Sequence, residues 1–391
     1  MIFALTKKIR VCLFILTLTG LFCSSVAEAV QSVRVLVSEN QKMIKVNITG
    51  EYVVRVLPSQ KVAKKGRAMK NVWVVPTPKG MRIGKEEWEC QGIRIEPLKD
   101  RDLLLQRTRF RGVVSILKDT KGLLYTINTL DLESYLYGVL HHEVAPWWPM
   151  EGLKAQAVAA RTYAVYEALV SKSAEYDLKS STSSQVYGGS TTERYRSKRA
   201  IDLTAGQILT YQGKVFPAFF HATCAGLTAG STELWKIPFR PIDGGVQCNY
   251  CKISPHYNWE SRVSLAEIEE KARKYGRDCG QIIKIELLTQ TPSHRVGSLR
   301  ITGTKAEIVV AAKDFRVWIG GNKLRSTAFT IETKEDTVYF HGRGWGHGVG
   351  LCQWGTLGQA ITGRRYEDIL TMYYPESEIS DISSAVKVIK K

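Results

Sequence analysis

Apolar and polar residues alternate with a period of two in the N-terminal part of the chain. The segments VRVLVSE, IKVNITG and YVVRVLP carry β-branched and aromatic residues in this alternation and are bounded by Gly, Pro and Ser. A period of two places successive side chains on opposite faces of a strand. Farther along, RGVVSILKD and GLLYTINTL flank DTKG and predict a hairpin. We therefore predict a β-rich N-terminal region over residues 30–108.

A helical pattern follows after residue 130. Asp131 is placed to cap a short helix over LESYLYGVL. Alanines then recur through residues 149–171, where Pro149 suits the first turn, so a long Ala-rich helix is predicted. Lys154 and Arg161 are seven residues apart, which would place both cations on one helix face.

The remaining chain mixes strands and helices without a regular alternation. IIKIELLTQ, HRVGSLRIT and AEIVVAA read as strands, residues 264–275 as a helix, and RYEDILTMYYP as a last amphipathic helix. The predicted class is α+β, β-rich, rather than a doubly wound parallel sheet.

The first 29 residues are typical of an export signal. Lys7, Lys8 and Arg10 precede the apolar run VCLFILTLTGLF, and the small residues of AEA end at Ala29. The run is short for a membrane span. We predict export to the periplasm or cell envelope. The alternative is that the segment stays uncleaved as an anchor, and only in that case do we expect membrane association.

The formal net charge of +18 favours an anionic partner. Nucleic acid would be the usual expectation, but export argues against it. The envelope offers anionic lipid, wall polymers and peptidoglycan carboxylates instead, so we expect no nucleic-acid partner.

Eight cysteines are too few for a disulfide-dense scaffold, and six remain after the export signal. His221 and Cys224, and Cys248 and Cys251, have spacings typical of zinc ligands, with His256 as an alternative ligand. The competing interpretation is a disulfide, Cys248–Cys251 or Cys224–Cys248. We predict one structural zinc held by His221, Cys224, Cys248 and Cys251.

A glycine-rich segment, HGRGWGHGVGLCQWG, occupies residues 341–355 and holds six glycines. Such a segment lets backbone pass close to a neighbour. It presents His347 and Gln353 as polar groups and Trp345 and Trp354 as stacking faces. The surrounding pattern is not that of a dinucleotide-binding turn, so we predict a site for a polar ligand.

Glu143 lies in the segment GVLHHEVAPWWP. Most glutamates are surface residues, but Val144, Ala145, Trp147 and Trp148 give this one an apolar setting. Such a setting raises the pKa of a carboxyl group and suits it to donate a proton. The HHE triplet is not the H-E-x-x-H motif of zinc peptidases, which argues against a zinc hydrolase acting on wall peptides.

Three long motifs occur in one order between residues 108 and 375. They are NTLDLESYLYGVLHHEVAPWWPMEGLKAQAVAARTYA, FFHATCAGLT and GRGWGHGVGLCQWG. Together they resemble the stage II sporulation protein D family. The resemblance implies a catalytic region of two lobes over residues 109–375, with the Ala-rich helix beside the active cleft, and leaves residues 376–391 as a basic tail.

Members of this family are exported lytic transglycosylases, which cut peptidoglycan glycan strands and leave 1,6-anhydro-N-acetylmuramic acid ends. The resemblance makes Glu143 the single catalytic acid and implies action on peptide-stripped strands during wall remodelling at division or sporulation. It also implies that zinc can lie near the cleft. Further residues are expected to bind substrate or brace the cleft: Lys154, Gln156, Arg161, Gln185, Tyr187, His347 and Gln353.

The family also includes amidase enhancers. The alternative function is therefore a non-catalytic peptidoglycan-binding protein that stimulates an N-acetylmuramoyl-L-alanine amidase. The two histidines before Glu143 and the cysteine at 352 depart from the expected family pattern.

Overall fold

The computed structural model describes residues 32–99, 102–181 and 184–389. The predicted export signal lies outside these residues. The predicted α+β class is confirmed, with strands and helices distributed along the whole described chain.

The largest sheet has eleven strands in the order β11-β1-β10-β9-β6-β2-β3-β4-β5, with β7 and β8 attached through β2. Apolar residues alternate into its core, as Ile44, Val46 and Ile48 do along one strand. Its strands are β1 (Ser32–Gln41), β2 (Ile44–Leu57), β3 (Val62–Pro76), β4 (Gly80–Ile83), β5 (Glu86–Glu89), β6 (Gly92–Pro97), β7 (Leu103–Leu105), β8 (Thr108–Phe110), β9 (Val113–Lys118), β10 (Leu124–Asp131) and β11 (Leu178–Lys179).

The boundary that we predicted at residue 108 falls inside this sheet. The predicted hairpin around DTKG is formed by β9 and β10, and it pairs with β6 on one side and β1 on the other. The strands of the N-terminal region therefore belong to the same sheet as β10, the strand that precedes the helix ending at Glu143.

Two helices follow the sheet and pack on it, α1 (Leu132–Glu143) and α2 (Met150–Val170). The predicted cap is confirmed, because the Asp131 side chain accepts a hydrogen bond from the backbone N–H of Ser134 at 2.9 Å. The alanines of α2 from Ala155 to Ala164 are fully buried, which lets neighbouring elements approach the helix backbone closely.

Arg161 on α2 does not share an exposed basic face with Lys154, contrary to our prediction. Its guanidinium is fully buried and donates to both carboxylate oxygens of Glu133 on α1, at 2.9 and 2.7 Å. It also donates to the carbonyl oxygens of Gln207 and Ile201. Arg161 therefore fixes α1 against α2.

The chain after residue 185 builds two further units. One surrounds α2 and contains α3 (Tyr195–Asp202), β12 (Gln207–Tyr211), β13 (Lys214–Val215), β14 (Phe220–His221), α4 (Ser231–Trp235), β21 (Leu351–Cys352), α7 (Gln353–Ile361), α8 (Tyr366–Tyr373), β22 (Glu378–Asp381) and α9 (Ile382–Ile389). β22 pairs with β12, so the segment that we predicted as a basic tail is joined to the fold up to the last described residue.

The other unit has its own apolar core. It comprises β15 (Asn258–Ser264), α5 (Leu265–Lys274), β16 (Ile282–Gln290), β17 (Val296–Gly303), β18 (Glu307–Ala311), α6 (Ala312–Ile319), β19 (Phe329–Lys334) and β20 (Thr337–Arg343). We call it the second β unit. Within the three described ranges, no helix combines the length and apolarity needed to cross a bilayer.

Candidate active site

A cleft of about 570 Å³ opens beside the C-terminal end of α1. Its volume lies in the range of ligand-binding pockets. The polar groups on its walls include Glu143, Ser184, His221, Arg316, His347 and Gln353. Glu143 is the only carboxylate among the described residues that line this cleft.

Glu143 is the last residue of α1, so its carboxyl group sits at the negative end of the helix dipole. Burial raises the pKa of this carboxyl to about 7, although hydrogen bonds from the backbone N–H of Val186 and the side-chain amide of Gln353 act in the opposite direction. At neutral pH both protonation states are populated. The group can therefore donate a proton and later accept one.

Aromatic side chains form the apolar walls of the cleft. The rings of Phe219 and Trp235 lie 4.8 Å apart, and Trp235 lies 5.1 Å from the ring of His347. Tyr163 of α2, Phe220 and Trp345 complete these walls. Flat apolar faces around one acid suit a ligand with alternating apolar faces and hydroxyl edges, such as a sugar chain.

The apolar setting of Glu143 differs from the one that we predicted. Val144 and Trp148 are buried in the core, while the Trp147 side chain is 65% exposed. The wall comes instead from Val186 and from aromatic residues distant in sequence. The predicted desolvation is present, but tertiary packing supplies it.

The glycine-rich segment packs against residues 219–223. A side chain at Gly350 would place its Cβ 2.0 Å from the Phe219 carbonyl oxygen, and one at Gly344 would come within 2.5 Å of the Thr223 carbonyl oxygen. Both glycines have positive φ, 70° and 77°. The neighbour that this segment approaches is therefore protein backbone, and the contact builds one wall of the cleft.

His347 and Gln353, which we predicted to contact substrate, both line the cleft. His347 is held by its own backbone, because its Nδ1 accepts from the Val349 N–H at 3.0 Å. Burial lowers its pKa to about 3, so the ring is neutral. Gln353 contacts Glu143 directly and can orient its carboxyl group.

His221 also lines the cleft and has a free ring nitrogen. Its Nδ1 faces the Val349 carbonyl oxygen at 3.0 Å, so Nδ1 carries the hydrogen. Nε2 is buried and has no hydrogen-bond partner among the residues that the structure describes. Because burial lowers the pKa of His221 well below its usual value, Nε2 is available as a hydrogen-bond acceptor.

The other five predicted substrate residues lie outside the set of described residues that line the cleft. Lys154 pairs with Glu151 at 2.8 Å, and Gln156 is fully buried within α2. Gln185 accepts from the Tyr135 hydroxyl at 3.0 Å, and Tyr187 donates to the Asn128 side chain at 2.8 Å. Arg161, Gln185 and Tyr187 connect elements around the cleft, and none of the five residues belongs to its described lining.

Four buried thiols cluster behind the cleft wall. The Sγ atoms of Cys224, Cys248, Cys251 and Cys352 all lie within 4.8 Å of one another, and Cys224 and Cys251 are 3.6 Å apart. Tetrahedral zinc with bonds of 2.3 Å separates its sulfurs by about 3.8 Å. Cys352 takes the place that we assigned to His221. None of the cysteines in the described chain forms a disulfide.

A buried cation accompanies this cluster. Arg295, in the turn before β17, is only 2% exposed and donates from Nη2 to the Cys224 carbonyl oxygen at 2.8 Å. Within the described part of the chain, its Nε and Nη1 have no hydrogen-bond partner. Burial lowers the pKa of Arg295, while Cys224, Glu233 and Cys352 act to raise it. A buried guanidinium is stabilised by negative charge nearby, which Glu233 and ionised thiols of the cluster would supply.

Comparison with the sequences of known proteins assigns this chain to a family. Residues 120–211 match the family described as stage II sporulation protein, and residues 247–350 match a domain of unknown function. The stage II sporulation protein D of Bacillus amyloliquefaciens is 31% identical over 66% of this chain and 77% of its own length. The chain belongs to the stage II sporulation protein D family.

Two further relatives extend the comparison. An uncharacterized protein of Brachyspira hyodysenteriae is 30% identical over 91% of this chain and 94% of its own length, and so includes the N-terminal sheet. The amidase enhancer of Bacillus subtilis is 25% identical over 63% of this chain and 40% of its own length. The shared region therefore occurs in proteins of different total length.

Several cleft residues were not predicted from the sequence. Phe219 and Phe220 directly precede His221 in the FFHATCAGLT motif, which is a local signal for their placement. Trp235 and Arg316 had no such signal, because they come from α4 and from α6 of the second β unit. Only the folded chain brings them to Glu143.

Proposed function

We propose that the protein is an exported lytic transglycosylase that cleaves the glycan strands of peptidoglycan at N-acetylmuramic acid. The observation that carries this proposal is Glu143, the one carboxylate of the described cleft lining, which has a pKa of about 7 and lies between aromatic walls. Membership of the stage II sporulation protein D family supports it. By the same resemblance we propose peptide-stripped strands as substrate and wall remodelling at division or sporulation as the role.

The reaction uses Glu143 twice. The protonated carboxyl gives its proton to the glycosidic oxygen, and the bond between that oxygen and the anomeric carbon breaks. The 6-hydroxyl of the same N-acetylmuramic acid then attacks the anomeric carbon, and the Glu143 carboxylate takes the hydroxyl proton. No water is consumed, and the new end is a 1,6-anhydro sugar.

A lone acid favours this route over hydrolysis. Hydrolysing glycosidases generally use two carboxyl groups, separated by about 5 to 9.5 Å, because one must act as nucleophile or activate water. The described cleft walls provide only Glu143. An internal hydroxyl nucleophile removes the need for a second carboxylate, since the substrate delivers the attacking oxygen.

The test is Glu143→Gln on purified peptidoglycan and on peptide-stripped glycan strands. Gln preserves the volume but has no proton to donate, so cleavage should fall by about 100- to 10,000-fold. Mass spectrometry of wild-type products should find ends one water lighter than hydrolysis products. Glycan binding should be retained, because the aromatic walls are unchanged.

Glu151→Gln is the matched control, because Glu151 lies on α2 in an ion pair with Lys154, outside the cleft. It should cleave at nearly the wild-type rate. Reducing ends in place of anhydro ends would contradict the proposed reaction. The similarity to an amidase enhancer suggests the alternative outcome. If wild type cleaves no glycan but stimulates an added amidase, and Glu143→Gln stimulates it equally, the protein enhances an amidase instead.

We further propose that Cys224, Cys248, Cys251 and Cys352 hold one structural zinc. Four thiol donors with no open position for water suit a closed structural site, so the metal takes no part in bond cleavage. Burial raises the pKa of the Cys352 thiol, so its ionised form requires nearby positive charge, which the zinc and Arg295 would supply. Cys352 directly precedes Gln353, so such a site would hold the cleft wall in place.

Metal analysis of protein purified without chelator should give one zinc per chain. Cys352→Ser should abolish zinc binding and lower the melting temperature, because metal binding contributes to folding free energy. Cys279→Ser is the control: Cys279 is buried in the second β unit, away from the cluster, and its variant should keep the zinc. Metal-free protein with alkylatable thiols would contradict the assignment.

A further inference from the structure

Positive charge is concentrated in one part of the N-terminal sheet. Residues 41–85, which span β2, β3 and β4, contain eleven lysines and arginines and a single acidic residue, Glu51. This segment, which we call the basic hairpin, carries a formal charge of +10 out of +18 for the whole chain. None of its residues lines the cleft.

Most of these cations lack an acidic partner. Arg55 pairs with Glu96, and Lys64 pairs with Glu86. Among the described residues, the other nine cations form no ion pair: Lys42, Lys45, Lys61, Lys65, Arg67, Lys70, Lys79, Arg82 and Lys85. All of them except Lys45 are exposed. Their mutual repulsion is a cost that an anionic partner would relieve.

The strand register places apolar side chains among these cations on the solvent face. Ile44 lies opposite Val74 and both point into the core, so the adjacent pair, Lys45 and Trp73, points outward. The Lys45 ammonium lies 5.9 Å from the centre of the Trp73 ring. Trp73 is 42% exposed, and Met43, at the neighbouring turn, is 46% exposed.

Protection of a sheet edge explains part of this pattern. Among the described strands, the first half of β3 pairs only with β2, and lysines on such an edge discourage pairing with another chain. Edge protection does not explain an exposed Trp and Met on the face of the sheet. Cations around exposed Trp and aliphatic side chains are typical of a surface that contacts a lipid headgroup region.

We propose that the basic hairpin docks on a membrane surface rich in anionic phospholipid. Its cations meet the lipid phosphates, and Trp73 and Met43 enter the interfacial layer. A soluble phosphate polymer would satisfy the cations but would leave these apolar side chains in water. The docking surface and the lining of the cleft share no residue. The proposal does not depend on glycan cleavage.

Vesicle sedimentation tests the proposal with the full chain. Binding is compared between phosphatidylglycerol/phosphatidylcholine vesicles and phosphatidylcholine vesicles, and the ratio is the readout, so that apolar insertion of the N-terminal segment cancels. The cations of that segment, Lys7, Lys8 and Arg10, are the same in every variant and cancel when variants are compared. Wild type should prefer anionic vesicles at least tenfold in low salt. Each cation near the surface contributes about fivefold, so the combined change of Lys42→Gln, Lys70→Gln, Arg82→Gln and Lys85→Gln should lower the preference by at least tenfold.

The matched control removes four exposed cations elsewhere: Lys252→Gln, Arg273→Gln, Lys274→Gln and Arg277→Gln. It should keep most of the preference. Trp73→Ala should weaken vesicle binding but not binding to inorganic polyphosphate, which separates lipid insertion from charge alone. Three results would overturn the proposal. Wild type shows no preference for anionic vesicles, both quadruple variants lose the preference equally, or Trp73→Ala binds vesicles as wild type does. Unchanged thermal melting of each variant verifies its fold.

Discussion

At the residue scale, the environment of Glu143 determines what its carboxyl group can do. The end of α1 fixes its position, burial raises its pKa to about 7, and Gln353 donates a hydrogen bond to it. An exposed glutamate would be ionised at neutral pH and could not act as an acid. The same burial that suits the group to donate a proton makes its ionised form unfavourable in the folded protein.

The raised pKa predicts two pH effects. Because the acid form is lost as pH rises through about 7, kcat/KM for glycan cleavage should decline above neutral pH. Stability should also respond. The folded-state pKa exceeds the unfolded value of 4.5, so folding stability falls as pH rises from about 4.5 to about 7 and stays low above it.

Glu143→Gln removes this titration. Its melting temperature should exceed that of wild type at pH 8, with a smaller difference at pH 5. Thermal melts at the two pH values measure the effect, and Glu151→Gln should not reproduce it. A variant that is less stable than wild type at both pH values would indicate that the carboxyl group is not strained by burial.

At the element scale, α1 and α2 are held together by a buried ion pair as well as by apolar packing. Arg161 is fully enclosed, and it satisfies Glu133 and two backbone carbonyl groups at once. Since α1 ends at Glu143 and α2 contributes Tyr163 to the cleft wall, this ion pair fixes two sides of the site. It braces the cleft from behind.

Arg161→Met should destabilise the fold by about 3 kcal/mol. The reason is that Glu133 loses its partner and the two carbonyl groups lose a donor. Chemical denaturation measures the change. Arg365→Met is the control, because Arg365 pairs with Glu367 at the surface, and its variant should unfold like wild type. Equal stability of both variants would contradict the bracing role.

At the scale of the whole molecule, the thiol cluster joins parts of the chain that are far apart in sequence. Cys224 follows the cleft strand β14, Cys352 precedes α7, and Arg295 reaches the cluster from the second β unit. Its guanidinium lies against the backbone of Gly348, where a Cβ would approach Nη2 to 2.5 Å. The thiol cluster, the glycine-rich segment and the second β unit therefore meet at one point.

Arg295→Met should weaken zinc binding about 10- to 100-fold, because the anionic thiolate cluster loses its neighbouring positive charge. Competition with a chelator measures the affinity directly, without an activity assay. Arg262→Met is the control, since Arg262 is an exposed residue of β15 in the same unit. Unchanged zinc affinity in Arg295→Met would show that the guanidinium only fills space.

The sequence predicted local elements well where one physical rule dominated. Alanine content determined α2, the Asp131 cap located the start of α1, and the turn residues of DTKG located the β9–β10 hairpin. The sequence did not predict correctly what the side chains of α2 contact. The spacing of Lys154 and Arg161 implied a common exposed face, but Arg161 is buried because it pairs with the Glu133 carboxylate on α1.

The sequence by itself determined the family, the α+β class and the position of Glu143 in the chain, because these follow from local composition and contiguous motifs. The tertiary structure alone decided what surrounds that carboxyl group. It brought Trp235 and Arg316 to the cleft and Cys352 to the other three thiols across more than a hundred residues of chain. Burial and proximity depend on packing between distant segments, and no local pattern encodes such packing.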